Sequence, residues 1–461
     1  MDKKIVLFGA GSAAFGPPTL SDIYSSKILP GSTITLIDID EPKLNMVYDI
    51  LNHENELRGN KYNLEKTTDL KTALKNADFV ICSIEHGDRF KYRWIDHRIP
   101  HSYGTTEMMA ENGGPGGFFH SARQIPTIIN IAKETFKANP HAVFINYSNP
   151  VSRICLSIKR SVPGLNCIGL CHQIGLFLPD LPYIVDDNFQ PERLKDLSPS
   201  DKIKLHKESL KNTKITVGGL NHFAFILGLK NIKTGEDLIP KFNANCMNYY
   251  QGKWDRFKYA DLTFEIYKRF NCFPYVGDNH ICEYLQIGSN YTKYSDLDDW
   301  ITRMEQGKVG TNKKYERNYK KLLNGKYPKR GILMRDESGE RGIPIIEEII
   351  ENSSCYEIAV NIPNEGIIDN LPQDLVVECS GIVDKDGVHG VKLGKIPRNI
   401  AALLRIEASI QDVCVEAILK ESKELAIACI AMDVNCGSFE KAENIYSEMS
   451  ELQKEYLPKF K

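Results

Sequence analysis

Residues 4–14 read Lys4-Ile5-Val6-Leu7-Phe8-Gly9-Ala10-Gly11-Ser12-Ala13-Ala14. The apolar run Ile5–Phe8 has the length and composition of a strand buried on both faces. Directly after it stands G-x-G-x-x-A. Gly9 permits a tight turn, Gly11 lets the backbone approach a pyrophosphate, and the small Ala14 permits close helix–strand packing. The next segment opens a helix whose N-terminal N–H groups hold the anion. Pro17 and Pro18 sit in its early turns, so its first residue is open by several positions. A second apolar run, Thr33–Ile37, ends in Asp38. A carboxylate there suits the ribose hydroxyls of NAD and repels the 2′-phosphate of NADP. Gly9, Gly11, Ser12 and Asp38 are therefore the candidate cofactor residues. A Rossmann-like fold that holds no nucleotide would need the same glycines for packing.

Outward from this start the chain keeps a strand–helix rhythm. Residues 77–84 and 142–146 are further apolar strands, and residues 124–136 have helical spacing. That alternation predicts an α/β fold, a Rossmann-like parallel sheet covered on both faces, with functional residues beyond the strand ends. The expected division is 1–195 for the dinucleotide-binding domain and 196–461 for an α/β catalytic and oligomerisation domain. The strings 400–419 and 425–432 carry the apolar spacing of a packed helical tail.

Composition narrows the function classes. The 461 residues are 42% hydrophobic and 26% charged, with a formal net charge of -2. No strongly basic face is implied, so nucleic acid and anionic membrane are not expected partners. No apolar run approaches the roughly 20 residues of a membrane-spanning helix, and Gly9 cuts the first apolar run too short for a signal peptide. The 12 cysteines form no C-x-x-C pair and sit mostly in apolar strings, as in a cytoplasmic enzyme with reduced thiols.

Four further segments carry chemistry-bearing residues in a fixed order. They are Glu111-Asn112-Gly113-Gly114-Pro115-Gly116-Gly117, Asn146-Tyr147-Ser148-Asn149-Pro150, Ile168-Gly169-Leu170-Cys171-His172-Gln173-Ile174 and Gly218-Gly219-Leu220-Asn221-His222-Phe223. Behind an NAD-type start, this series resembles glycoside hydrolase family 4. The likeness extends to 360–366, Asn370-Leu371-Pro372 and the tail around Gln411, Glu416 and Asp433.

The resemblance implies NAD and one divalent metal, usually Mn²⁺, with Cys171 and His222 as metal ligands. A thiolate and an imidazole leave coordination positions open for sugar hydroxyls. It implies that Asn149 and His172 contact the sugar. The polar stretch 277–284 looks like a substrate loop, with His280 as its candidate. Glu111 stands where the family commonly has Asp; it is a candidate to position a hydroxyl or to assist aglycone departure. The stretch 258–267 resembles the helix that carries the catalytic base, and both Asp261 and Tyr259 are candidates, Asp261 first.

The implied mechanism departs from the usual carboxylate pair, as NAD-dependent family 4 does. The sugar is oxidised at C3, the acidified C2 proton is removed, and the C1–oxygen bond breaks by elimination. Water then adds at C1 and hydride returns to C3. Members acting on 6-phosphoglycosides carry Asp or Asn after the metal cysteine; Cys171-His172 resembles instead the members acting on unphosphorylated α-glucosides, α-galactosides and α-hexuronides, a galacturonide first. The rival readings are an NAD-dependent dehydrogenase of the lactate or malate type and a 6-phospho-glycosidase of the same family. A homodimer or homotetramer is expected.

Overall fold

The computed structural model describes residues 2–12, 15–106, 109–189, 198–252, 261–291, 294–333 and 339–461. Ala14, Tyr259 and the domain boundary drawn at 195 lie outside the described residues.

The strands are β1 (Lys4–Phe8), β2 (Thr33–Ile37), β3 (Asn63–Thr67), β4 (Phe79–Cys82), β5 (Val143–Asn146), β6 (Asn166–Gly169), β7 (Thr213–Leu220), β8 (Phe223–Asn231), β9 (Phe273–Pro274), β10 (Cys355–Pro363), β11 (Val376–Asp384) and β12 (Gly387–Gly390). They form one sheet in the order β3-β2-β1-β4-β5-β6-β10-β11-β7-β8-β9, with β12 beside β11. The pairs from β3 through β6 are all parallel. At Asn361↔Gly169 the sheet turns antiparallel and stays so through β9. The parallel strands β1, β4 and β5 are buried almost throughout because helices cover both faces, which is why they read as unbroken apolar runs.

The expected α/β architecture is therefore present, with two local differences. β3 reads Asn-Leu-Glu-Lys-Thr; it is a sheet-edge strand with one buried residue, so its polar sequence gave no apolar signal. The glycine-rich Gly114–Gly117 segment, where sequence alone suggests a loop, is the first turn of helix Gly114–Ala138. Its glycines serve helix packing: a Cβ on Gly116 would lie 2.3 Å from the Asp96 carbonyl oxygen. The early prolines fall in the first turn of helix Gly16–Ser25, where a missing N–H costs nothing. The tail helices Arg398–Lys420 and Lys423–Met432 match their expected spans to within two residues.

Candidate functional site

The carboxyl ends of β1, β2, β4, β5 and β6 all face one way, and the loops that leave them build the site. After β1, Gly9 has φ +81°, and a Cβ there would meet the Ser83 carbonyl oxygen at 2.1 Å. Only glycine fits. The Gly11 N–H donates to Asp38 Oδ2 at 2.9 Å, so the acid that ends β2 lies against the glycine loop. Ser12 closes the turn through its N–H to Gly9 O at 3.1 Å. Next to Asp38 stands Ile39, 92% exposed. A bound dinucleotide fits this arrangement: a close backbone approach, a carboxylate for ribose hydroxyls and an uncovered apolar side chain.

The β5 loop carries Asn149, half-buried, whose Oδ1 is buried without a hydrogen-bond partner. The β6 loop carries half-buried Cys171 and exposed His172. Asn221 and His222 are the two residues joining β7 to β8, and His222 has φ +60°. A side chain held in that region indicates that the surroundings fix it there. The turn brings His222 Nε2 to 3.2 Å from Cys171 Sγ. The sheet order places β7 three positions from β6, with β10 and β11 between, so the pairing of these two residues is a tertiary result.

Beneath this pair lies a buried polar network. Glu378 of β11 accepts from Asn221 Nδ2 at 2.8 Å, from Asn361 Nδ2 at 3.1 Å and from the Tyr275 hydroxyl. It ties β10, β11 and the β7–β8 turn together at the point where the parallel sheet becomes antiparallel.

On the far side of His222, Asn112 meets Nδ1 at 2.8 Å. The His280 ring lies 4.1 Å from the His222 ring, and His280 Nδ1 is 3.8 Å from Glu111 Oε2. Glu111 Oε1 accepts from Arg93 Nη2 at 2.6 Å. The Glu283 carboxylate accepts from the backbone N–H of Glu111 at 2.6 Å and of Asn112 at 3.2 Å. Glu111, His222 and His280 are all buried, and one ligand atom from each lies within 4.8 Å of the others.

The electrostatics favour cation binding. Burial lowers His280 to about 4 and holds His222 well below its usual value, so both imidazoles are neutral and offer lone pairs near pH 7. Burial, the largest single effect, would raise Glu111, but the charges around it, Arg93 first, together outweigh it and hold the carboxyl well below its usual range. Burial, and then the Glu378 charge, push the Cys171 thiol up. A divalent cation would reverse that, because a coordinated thiol loses its proton. The donors present, one thiol, two neutral imidazoles and a fixed carboxylate, fit such an ion.

Asp261 opens helix Asp261–Phe270, and burial raises its carboxyl above the ordinary value. Asp278, fully buried, accepts from the N–H groups of Leu262 and Thr263, each at 2.8 Å, and from the Thr263 hydroxyl at 2.7 Å. It thereby fixes the first turn behind Asp261, two residues before His280. From the tail, Asp433 accepts from the Gly114 N–H at 2.8 Å and so steadies the Glu111–Gly114 segment.

The residues that sequence reasoning missed are those that hold others: Arg93, Asn112, Glu283, Asn221, Asp278 and Glu378. Asn112, Asn221, Asp278 and Glu283 stood in stretches already singled out. Arg93 and Glu378 had no such signal.

The family 4 glycosyl hydrolase model matches residues 4–177, and the family's C-terminal-domain model matches residues 217–436. An α-glucosidase of Erwinia rhapontici is 34% identical over 94% of each chain. The chain is a family 4 glycosyl hydrolase. An α-galactosidase of Bacillus subtilis is 28% identical over the full length of both chains. The fold is shared with a 6-phospho-α-glucosidase from gut microorganisms, solved with NAD and Mn²⁺, at TM-score 0.81 and 20% identity over the whole of both chains. Membership extends through the C-terminal domain, which sets aside the lactate- or malate-dehydrogenase reading. This family 4 hydrolase keeps its 12 cysteines free, most of them buried. Among its described residues no helix is long and apolar enough to cross a membrane.

Proposed function

We propose that this chain hydrolyses unphosphorylated α-glycosides by NAD- and divalent-metal-dependent oxidation at C3 followed by elimination. The observation that carries this is the 3.2 Å approach of Cys171 and His222 beyond the carboxyl end of β6, in the sheet whose first loop is the glycine turn beside Asp38. The 34% identity to an α-glucosidase makes an α-glucoside the first substrate to assay, ahead of the galacturonide expected from the motifs.

When bound, NAD supplies a reversible acceptor for the C3 hydride, and a divalent cation supplies Lewis acidity at the C2 and C3 oxygens. The protein's own groups do the rest. Asn149, whose buried Oδ1 has no partner of its own, accepts from a sugar hydroxyl and orients the ring. His172, exposed in the loop after β6, contacts the sugar. Asp261 takes the C2 proton once C3 is a ketone, with Tyr259 as the alternative base. The raised carboxyl of Asp261 is the stronger base for it. The aglycone oxygen then leaves C1 and takes a proton from solvent, water adds at C1, C2 regains a proton and C3 regains its hydride. Cys171 and His222 hold the cation. Glu111, kept charged by the cations around it, Arg93 first, serves as a fixed acceptor that positions a sugar hydroxyl. A homo-oligomer and a cytoplasmic setting belong to the same reading, the latter supported by the free cysteines.

Turnover in D₂O is the test. C2 deprotonation should place deuterium at C2 of the released sugar, and NADH should not build up. Product carrying only protium at C2 would overturn the proposal, because a carboxylate-pair glycosidase never breaks that bond.

A further inference from the structure

We propose that Lys308 and Arg89 form a second contact for the phosphates of the bound dinucleotide, in addition to the glycine turn. The inference rests on the reading that this cleft takes NAD.

The place of Lys308 follows from how its helix lies. Helix Tyr294–Leu323 packs along helix Glu41–Leu57, which leaves the Asp38 loop. Tyr315 packs on Ile50, the Tyr319 hydroxyl donates to Asp49 at 2.9 Å, and beyond the helix the Tyr327 hydroxyl donates to Glu54 at 2.7 Å. The two segments thus run in the same direction. Lys308 stands about two turns before Tyr315, and Lys43 about two turns before Ile50. Lys308 therefore lies beside the first turn of the helix that follows Asp38. Its Nζ is 5.5 Å from the centre of the Phe90 ring, and Phe90 belongs to the first turn of helix Arg89–Ser102. That helix follows the β4 loop, whose Ser83 and Ile84 lie against Gly9. Lys308 thus bridges the Asp38 loop and the β4 loop, the two sides of the cleft that leads to the glycine turn.

What points to a ligand is unpaired charge. Lys308 and Arg89 are both half-buried, and neither makes a hydrogen bond or an ion pair with a described residue. The acids whose charges reach Lys308 are Glu85 and Asp88, and both are engaged elsewhere. Glu85 Oε1 meets His120 Nε2 at 3.0 Å and accepts from Gln124 Nε2 at 2.8 Å. Asp88 accepts from the N–H groups of Phe90 at 3.1 Å and Lys91 at 3.0 Å. Burial, and then the Arg89 charge, lower the Lys308 ammonium. Two cations brought together in partly buried space are costly unless an anion joins them. A pyrophosphate on the glycine turn brings that anion. Arginine matches phosphate oxygens with its planar fork, and lysine adds a point charge.

The experiment titrates chelator-stripped, full-length protein with NAD alone, by calorimetry, at KCl from about 0.05 to about 0.5 M. Lys308→Gln and Arg89→Gln should each raise the Kd for NAD by about 10-fold and flatten its rise with salt. Lys308→Arg, which keeps the charge, should recover NAD binding. Lys314→Gln, exposed on the same helix, should match wild type. Both Gln variants with the wild-type Kd overturn the contact and leave the NAD reading standing. A loss that Lys308→Arg does not recover, with the salt dependence unchanged, shows that these residues only shape the cleft and also overturns the contact. An equal loss in Lys314→Gln overturns it as well, because the effect then belongs to the general surface charge. Wild-type protein that binds no NAD overturns both the contact and the reading on which it rests.

Discussion

The two ends of the site are built by opposite means. The glycine loop after β1 works through backbone: Gly9 at φ +81°, and Gly11 N–H against Asp38. Its ligand-facing parts lie within the first 38 residues, with the Ser83 carbonyl packed against Gly9. The cluster of Cys171, His222, His280 and Glu111 works through side chains drawn from four separate segments. Cys171 is half-buried and the other three are buried, and Arg93, Asn112, Glu283 and Glu378 hold them. A backbone site of this kind fails when a Cβ intrudes. A side-chain site fails when one partner is removed and leaves the other's charge or lone pair buried.

The largest expected effect breaks the side-chain end alone. Cys171→Ser or His222→Ala should lower Mn²⁺-dependent kcat/KM by about 10³-fold or more, as loss of roughly 4 kcal/mol of charge stabilisation would. NAD affinity, measured by nicotinamide fluorescence, should stay within a few-fold. Full activity of Cys171→Ser in chelator would remove the cysteine from the metal reading.

Next comes the base. Asp261→Asn should lower turnover by about 10²–10⁴-fold and abolish C2 deuterium exchange. Should Tyr259→Phe show the larger loss of exchange, the tyrosine is the base.

Gly9→Ala breaks the other end. A Cβ 2.1 Å from a carbonyl oxygen, at positive φ, forces the loop to move. NAD affinity should fall about 10-fold or more, at about 1.4 kcal/mol per decade, while Mn²⁺ affinity measured without nucleotide stays unchanged. Equal losses of both ligands would mean that the two ends form one cooperative unit and are not built independently.

The smallest effect is on stability. Burial lifts Asp278 to about 7, against the lowering by its hydrogen bonds from Thr263 and Leu262. A folded pKa above the unfolded one gives stability that is complete below about pH 4 and is lost as pH rises through about 7. The stability of wild type relative to Asp278→Asn should therefore decline across that window. The slope should be at most about 1.4 kcal/mol per pH unit, read from denaturant unfolding. A difference independent of pH would show that the hydrogen bonds offset burial in full and that the carboxyl ionises in the fold as readily as in the unfolded chain.

The same contrast explains how much was legible. The β1 run, its glycines and Asp38 were readable because a tight turn and a close backbone approach restrict residue types locally. The buried parallel strands were readable because burial on both faces leaves an unbroken apolar run. The edge strand β3, polar because its surroundings are solvent, was not. Cys171, His222, Glu111 and His280 entered through motifs and a family likeness. Nothing in their spacing tied His280 to Glu111, or Asn112 to His222.

The sequence by itself determined the α/β class, the nucleotide turn and the residue types available for chemistry, because each of these depends on neighbours along the chain. Only the tertiary structure decided that Cys171 and His222 meet, that Arg93 pairs with Glu111 and that His280 Nδ1 is left without a partner. Those facts depend on which loops the sheet order β6-β10-β11-β7 brings together, and on burial strong enough to set charge states.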